Sequence, residues 1–413
     1  MRKDRPAYRM LLVGLLSLNF GIVFFDRNAL NFLMPFVQPD LNLSNTEIGL
    51  LASALSFTWA ISGYYLGAAS DRSGKRKSFL VAAIIAFSLC SVLSGLATSF
   101  LFLLGARLLM GAAEGSILPI SQSLTASEVP PEKRGLAMGV MQNFGSNLLG
   151  SFVAPVALVA LATWVGWRYA FFLAGVPGII TALLIWRFIE EPEMAPAPEG
   201  VADRLTVRQA FSHMNILICA VMAVLLVSYL VIAWAFMPLY LTKVRGFDPA
   251  TMGWLMGTLG ISATVGSFIV PGLSDIVGRR PVMIIVPLIG IILPLGAMYF
   301  MGSPWLLAVI FFFGWALNGC FPLFMATVPS ETVHERHVAT ALGVVMGTGE
   351  VLGGVAGPSV AGIAADKLGM SAPLWIMFGL AIAAGIAALA LTETAPSKLA
   401  AASAAARPEE AAA

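Results

Sequence analysis

Arg107-Leu-Leu-Met-Gly111-Ala-Ala-Glu114-Gly115-Ser-Ile-Leu-Pro119 sits inside an apolar run from Phe100 to Leu124. As a helix, about 20 residues cross a bilayer, so the run is long enough to span. An Arg and a Glu within it cost about 2.5–3.5 kcal/mol each to insert. Seven residues are close to two helical turns, which puts both charges on one face about 10 Å apart. Gly111 and Gly115 keep that helix narrow, so a neighbour can approach its backbone. Charges at this cost on one face of a spanning helix predict a polar cavity; the alternative is a buried structural ion pair.

The composition agrees with a membrane chain. Of 413 residues, 58% are hydrophobic and 11% charged, against about 25% charged in soluble domains; mean hydropathy is +0.87. The net charge of +2 suggests no nucleic-acid partner. Cys90, Cys219 and Cys320 stand singly in apolar runs, without metal or disulfide spacing. The N-terminal segment has no small-residue cleavage site and contains Asp26-Arg27, so it reads as a span, not a signal peptide.

Twelve spans are predicted, at about 10–37, 46–70, 78–97, 100–124, 135–162, 168–189, 214–240, 251–272, 281–300, 304–329, 338–364 and 372–392. A hydrophilic linker, 190–213, separates six spans in 1–189 from six in 214–394, and 395–413 is an Ala-rich tail read as disordered. With both termini cytoplasmic, 18 of the 24 Lys and Arg lie inside and four (Arg168, Lys243, Arg245, Lys367) outside. That bias predicts cytoplasmic termini, in a bacterial-type cytoplasmic membrane.

The halves repeat at an offset of 204 residues. Asp71-Arg72-Ser-Gly74-Lys75-Arg76 matches Asp275-Ile-Val-Gly278-Arg279-Arg280, and Ala137-Met-Gly139 matches Ala341-Leu-Gly343. Parallel repeats imply a pseudo-two-fold axis along the membrane normal and a substrate site near the midplane between halves. Glu114 maps onto Asn318, Arg107 onto Phe311, and Asp26-Arg27 onto Leu230-Val231. Intramembrane charge is therefore concentrated in the N-terminal half, apart from Glu350, and proton handling is expected there.

Gly67-Ala-Ala-Ser-Asp71-Arg72-Ser-Gly74-Lys75-Arg76-Lys77, with its copy at 275–280, resembles the loop motif of the major facilitator superfamily, and the resemblance covers nearly the whole chain. It implies an all-α membrane fold of twelve transmembrane helices in two pseudo-symmetric six-helix bundles. Asp71, Arg72, Asp275 and Arg279 would then form gating loops, with positive-inside anchoring as the plainer reading. Phe24-Phe25-Asp26-Arg27-Asn28 and the Arg107…Glu114 segment look like the anion:cation symporter family, which includes sugar-acid and phthalate permeases and sialin-like carriers. That resemblance implies that Arg27 binds a substrate carboxylate, Asp26 and Glu114 carry protons, and Arg107 organises them. Two positions depart from the family's pattern: Trp59 stands where a Tyr is common, and Glu350 where an Asn is common. Trp59 offers a flat apolar wall in place of a hydroxyl.

The chemistry of the residues supports the same assignment. Arg27 carries a permanent charge and a fork of donors that matches a carboxylate. A carboxylate competing for Arg27 would release Glu114 to take a proton, which couples anion to proton. Gln142, Asn143, Asn318, Thr348 and Glu350 are further cavity candidates; each could equally bond across helices. Glu350 could be a second proton site, a ligand for a substrate hydroxyl or amine, or a neutral structural acid.

No nucleotide-binding loop, metal cluster or nucleophile arrangement is present, so no enzyme activity, metal or cofactor is expected beyond the proton as coupling ion. The resulting expectation is a monomeric, proton-coupled uptake symporter for a small organic anion such as a sugar acid or an aromatic or hydroxy acid. The alternatives are an exporter or exchanger of the same fold, and a membrane sensor that binds without transport.

Overall fold

The computed structural model describes residues 6–191, 206–334 and 337–399. Residues 395–399 of the predicted tail are among them; the rest of the tail, 400–413, and most of the linker lie outside. Everything described is helical or connecting. Among the described residues, ten helices are long and apolar enough to cross a membrane. The other two predicted spans fall on Asn45–Ser73, a 29-residue helix outside those ten, and on Ala372–Ala388, an apolar helix of 17 residues. The protein is thus a multi-pass integral membrane protein.

In chain order the first helices are α1 (Pro6–Arg27), α2 (Ala29–Leu41), α3 (Asn45–Ser73), α4 (Arg76–Gly95), α5 (Phe100–Glu114), α6 (Ile117–Glu128), α7 (Pro131–Gly139), α8 (Ala154–Val165) and α9 (Trp167–Phe188). Two π-helical turns, Val140–Phe144 and Ser146–Val153, join α7 to α8. The first predicted span is therefore two helices, broken at Asn28, and the fourth is broken after Glu114.

The remaining helices are α10 (Val207–Ser212), α11 (Met214–Leu239), α12 (Pro249–Val277), α13 (Arg279–Ile289), α14 (Ile292–Tyr299), α15 (Pro304–Gly314), α16 (Val328–Thr332), α17 (Val338–Thr348), α18 (Gly354–Leu368) and α19 (Ala372–Ala388).

By compactness the chain forms two units. One holds the described residues of Met1–Ala197 with Ile232–Thr264 and Pro358–Pro373. The other holds those of Pro198–Val231, Val265–Gly357 and Leu374–Ala413. The first unit thus takes in chain from both sides of the linker, and specific bonds hold those pieces together. Asp366 accepts from the N–H and Nδ2 of Asn45 and from the N–H and Oγ1 of Thr46, at 2.6–3.0 Å, and so caps the start of α3. Ser53 and Ser359 hydroxyls meet at 2.7 Å, and Lys243 Nζ donates to Gln38 Oε1 at 2.6 Å. Trp167 Nε1 donates to Asp40, and Arg168 donates to Asp40 and to the Ala97 carbonyl, which ties α9 to the end of α2.

The sequence repeat recurs as a repeated contact, once in each unit. Glu191, just past α9, accepts from the N–H of Lys77 at 2.8 Å. Glu393, just past α19, accepts from the N–H groups of Arg279 and Arg280 at 2.8 and 3.2 Å. Both carboxylates satisfy free N–H groups at a helix start. In the second unit Arg279 also bonds Ser274, Asp275 and Glu331. This loop motif therefore joins α12, α13 and α16. Arg72 is exposed in the last turn of α3, and the side chain of Asp71 lies outside the described residues.

The close approach predicted at Gly111 and Gly115 is present, and the neighbour is α3. A Cβ on Gly111 would collide with the Leu55 carbonyl and the Thr58 hydroxyl, and one on Gly115 with the Trp59 carbonyl. Gly111→Leu is expected to cost at least the 1–3 kcal/mol typical of overpacking, seen as lost monodisperse protein in size-exclusion chromatography. Gly105→Ala in the same helix meets nothing within 4 Å, and is expected to leave thermal stability unchanged or raised by up to ~1 kcal/mol.

Candidate functional site

The first unit brings together the four intramembrane charges singled out in the sequence. Asp26 and Arg27 end α1, where the helix breaks at Asn28; Arg107 and Glu114 lie on α5. At the break the N–H of Asn31 bonds the Asn28 carbonyl at 3.0 Å, a shorter reach than the helical bond back to Arg27. The Arg27 carbonyl accepts instead from Arg107, whose Nη2 is 3.0 Å away. The second Arg107 nitrogen, Nη1, contacts the Met110 sulfur at 3.2 Å. Asn28 Nδ2 donates to the Gly150 carbonyl at 3.1 Å, which fixes the break against the π-helical segment.

The expected face shared by Arg107 and Glu114 exists, but the two side chains make no ion pair within 4 Å. Glu114 is 1% exposed and both its carboxylate oxygens lack a hydrogen-bond partner. Arg107, 3% exposed, leaves its Nε unpartnered. The charges that reach Glu114 through space are those of Arg27, Arg107 and Asp26.

Asp26 is fully buried and turns to α4. Its Oδ1 is 2.6 Å from Ser91 Oγ, which is also 3.0 Å from the Phe171 carbonyl. A serine hydroxyl has one hydrogen to give. Ser91 is placed to give it to Asp26 or to the Phe171 carbonyl, which lies inside α9 and has its own helical bond.

Arg27 differs from the other three. It is half-buried, and among the described residues its guanidinium has no hydrogen bond and no ion pair. Its Cζ lies 5.6 Å from the centre of the Phe24 ring and 5.3 Å from that of Trp59. Both rings lean on the core formed by α1, α4, α6 and α9. Phe24 and Ser91 were not among the sequence-derived site residues. Phe24 could have been found, because it stands one turn before Arg27; Ser91 could not, because only packing brings it to Asp26.

The other candidates are placed less tellingly. Gln142 and Asn143 sit in the π-turn Val140–Phe144, where Gln142 Oε1 accepts from Gln122 at 3.4 Å. Asn318, Thr348 and Glu350 belong to the second unit. Asn318 is in a 3-10 turn, Thr348 bonds its own helix at Val344, and Glu350 lies in the π-turn Gly349–Gly353.

A family model described as Major Facilitator Superfamily matches residues 16–248 and 216–412. The chain is 30% identical over 278 residues to a hexuronate transporter of Bacillus subtilis, a match covering 63% of each chain and so less than two thirds of that relative. It is 28% identical to a probable 4-methylmuconolactone transporter of Cupriavidus pinatubonensis, covering 80% of this chain and 78% of the relative. It is 26% identical to a probable sulfoacetate transporter of Cupriavidus necator, covering 89% and 90%. Among solved structures, a bacterial homologue of the human lysosomal transporter Spinster superposes with a TM-score of 0.71 at 20% identity, covering 94% of this chain and 96% of that one; this likeness concerns the fold.

The hydrogen bond at Ser91 leads to a test. Ser91→Ala removes the hydroxyl bonded to the buried carboxyl group of Asp26, at about 1–3 kcal/mol, and is expected to lower the detergent melting temperature. Asp26→Asn is expected to keep it, since the amide can still bond Ser91.

Proposed function

Because the chain belongs to the Major Facilitator Superfamily, a family of transporters and not of enzymes, we propose that it is a proton-coupled symporter that takes up an organic carboxylate by alternating access. One observation carries the reading. A partly exposed guanidinium with free donors stands within electrostatic reach of a buried carboxyl group with no partner. Arg27 receives the substrate carboxylate through paired, charge-assisted hydrogen bonds. Its charge is then engaged by the substrate, and Glu114 holds its proton more readily. Loss of the substrate restores the field of Arg27 and favours release of that proton. Asp26, buried and bonded to Ser91, is the second proton carrier. Arg107 holds the helix break that presents Arg27.

The relatives named for hexuronate, 4-methylmuconolactone and sulfoacetate support a small organic anion as the substrate. The sequence repeat supports two six-helix halves, 1–189 and 214–394, joined by the linker 190–213. The Lys and Arg bias supports termini on the cytoplasmic face of a bacterial-type membrane. Gln142, Asn143, Asn318, Thr348 and Glu350 are proposed as further substrate-binding residues. Asp71, Arg72, Asp275 and Arg279 are proposed as gating-loop residues.

The test is flux in proteoliposomes with imposed pH gradients. Arg27→Lys keeps charge but loses the planar fork, and is expected to cut uptake by at least tenfold in a folded protein; wild-type kinetics would remove Arg27 from the substrate site. Glu114→Gln is expected to lose accumulation driven by a pH gradient while keeping counterflow. Uphill accumulation by that variant would place coupling elsewhere. Flux only against internal anion would identify an exchanger, and binding without flux a sensor.

A further inference from the structure

The Arg27 guanidinium carbon lies over two aromatic rings, 5.6 Å from the centre of Phe24 and 5.3 Å from that of Trp59. Phe24 is on the same helix one turn earlier, and Trp59 comes from α3. The hydroxyls on α3 near Trp59 are already engaged: Thr58 bonds the carbonyls of Ala54 and Leu55, and Ser62 bonds that of Ala112. Asn28 is committed to Gly150. Trp59 cannot easily turn away, because its backbone is seated against Gly115 and its ring leans on the core.

A carboxylate that takes the N–H donors of this guanidinium is brought beside both rings, so whatever carries that carboxylate has Trp59 and Phe24 as neighbours. We propose that the site selects a carboxylate conjugated to a flat aromatic or unsaturated ring, and that Trp59 is the residue that sets this choice over a sugar acid. The proposal rests on the reading of Arg27 as the carboxylate site and narrows its substrate to one chemical class.

Calorimetric titration of the purified, full-length protein with benzoate, cyclohexanecarboxylate, D-glucuronate and acetate tests it. Cyclohexanecarboxylate has the charge and carbon count of benzoate but a puckered ring, so hydrophobicity alone gives benzoate no advantage. Benzoate is expected to bind about three- to tenfold tighter than cyclohexanecarboxylate, the range that an aromatic ring pair is worth, and tighter still than D-glucuronate. Trp59→Leu is expected to abolish the preference for benzoate over cyclohexanecarboxylate. Trp59→Tyr is expected to narrow the gap between benzoate and D-glucuronate. Equal affinities for benzoate and cyclohexanecarboxylate in the wild-type protein would overturn the proposal without any variant. A preference that survives Trp59→Leu would overturn the role of Trp59. Failure of the underlying reading looks different: no carboxylate would bind, or binding would persist in Arg27→Ala.

Discussion

The hydrogen bond from Arg107 to the Arg27 carbonyl is the contact on which this site depends. A guanidinium in an apolar bundle is costly unless its donors are met. A helix broken within a membrane has the converse problem, a carbonyl with no N–H to accept from. Here the two needs answer each other. The break at Asn28 frees the carbonyl, Arg107 takes it at 3.0 Å, and Asn28 secures the break through Gly150. Arg27, at the last position before the break, is thereby presented with its own guanidinium uncommitted.

This arrangement divides the charges into two kinds. Arg107 does positional work, bonded to backbone and to sulfur. Glu114 is left deep in the protein without a partner. In soluble proteins an unpartnered buried carboxyl group is a liability, and it persists where its protonation is part of what the site does.

The first unit explains why the neighbours are where they are. Gly111 and Gly115 let α5 lie against the carbonyls of α3, and that contact places Trp59 at Arg27. Asp366 fastens α18 to the start of the same helix. The helix that carries the aromatic wall is therefore held at its α5 face by close packing and at its N-terminus by a carboxylate cap.

Much of this was legible in the amino-acid order. Long apolar runs demand helices, because only a helix pairs its own backbone groups in lipid. The 204-residue repeat is visible in matching Asp, Gly and basic residues, and Arg107, Glu114, Asp26 and Arg27 are conspicuous because charge within such runs is rare. Helix period alone put Arg107 and Glu114 on one face. It could not say that they stay unpaired, that Arg107 reaches a carbonyl 80 residues away, that Ser91 meets Asp26, or that Trp59 and Phe24 flank Arg27. Those contacts join helices distant in sequence, and each depends on how closely two backbones approach and how far one helix is rotated against another. Local periodicity specifies a helix and its faces. Which face meets which neighbour is decided by packing, and packing exists only in three dimensions.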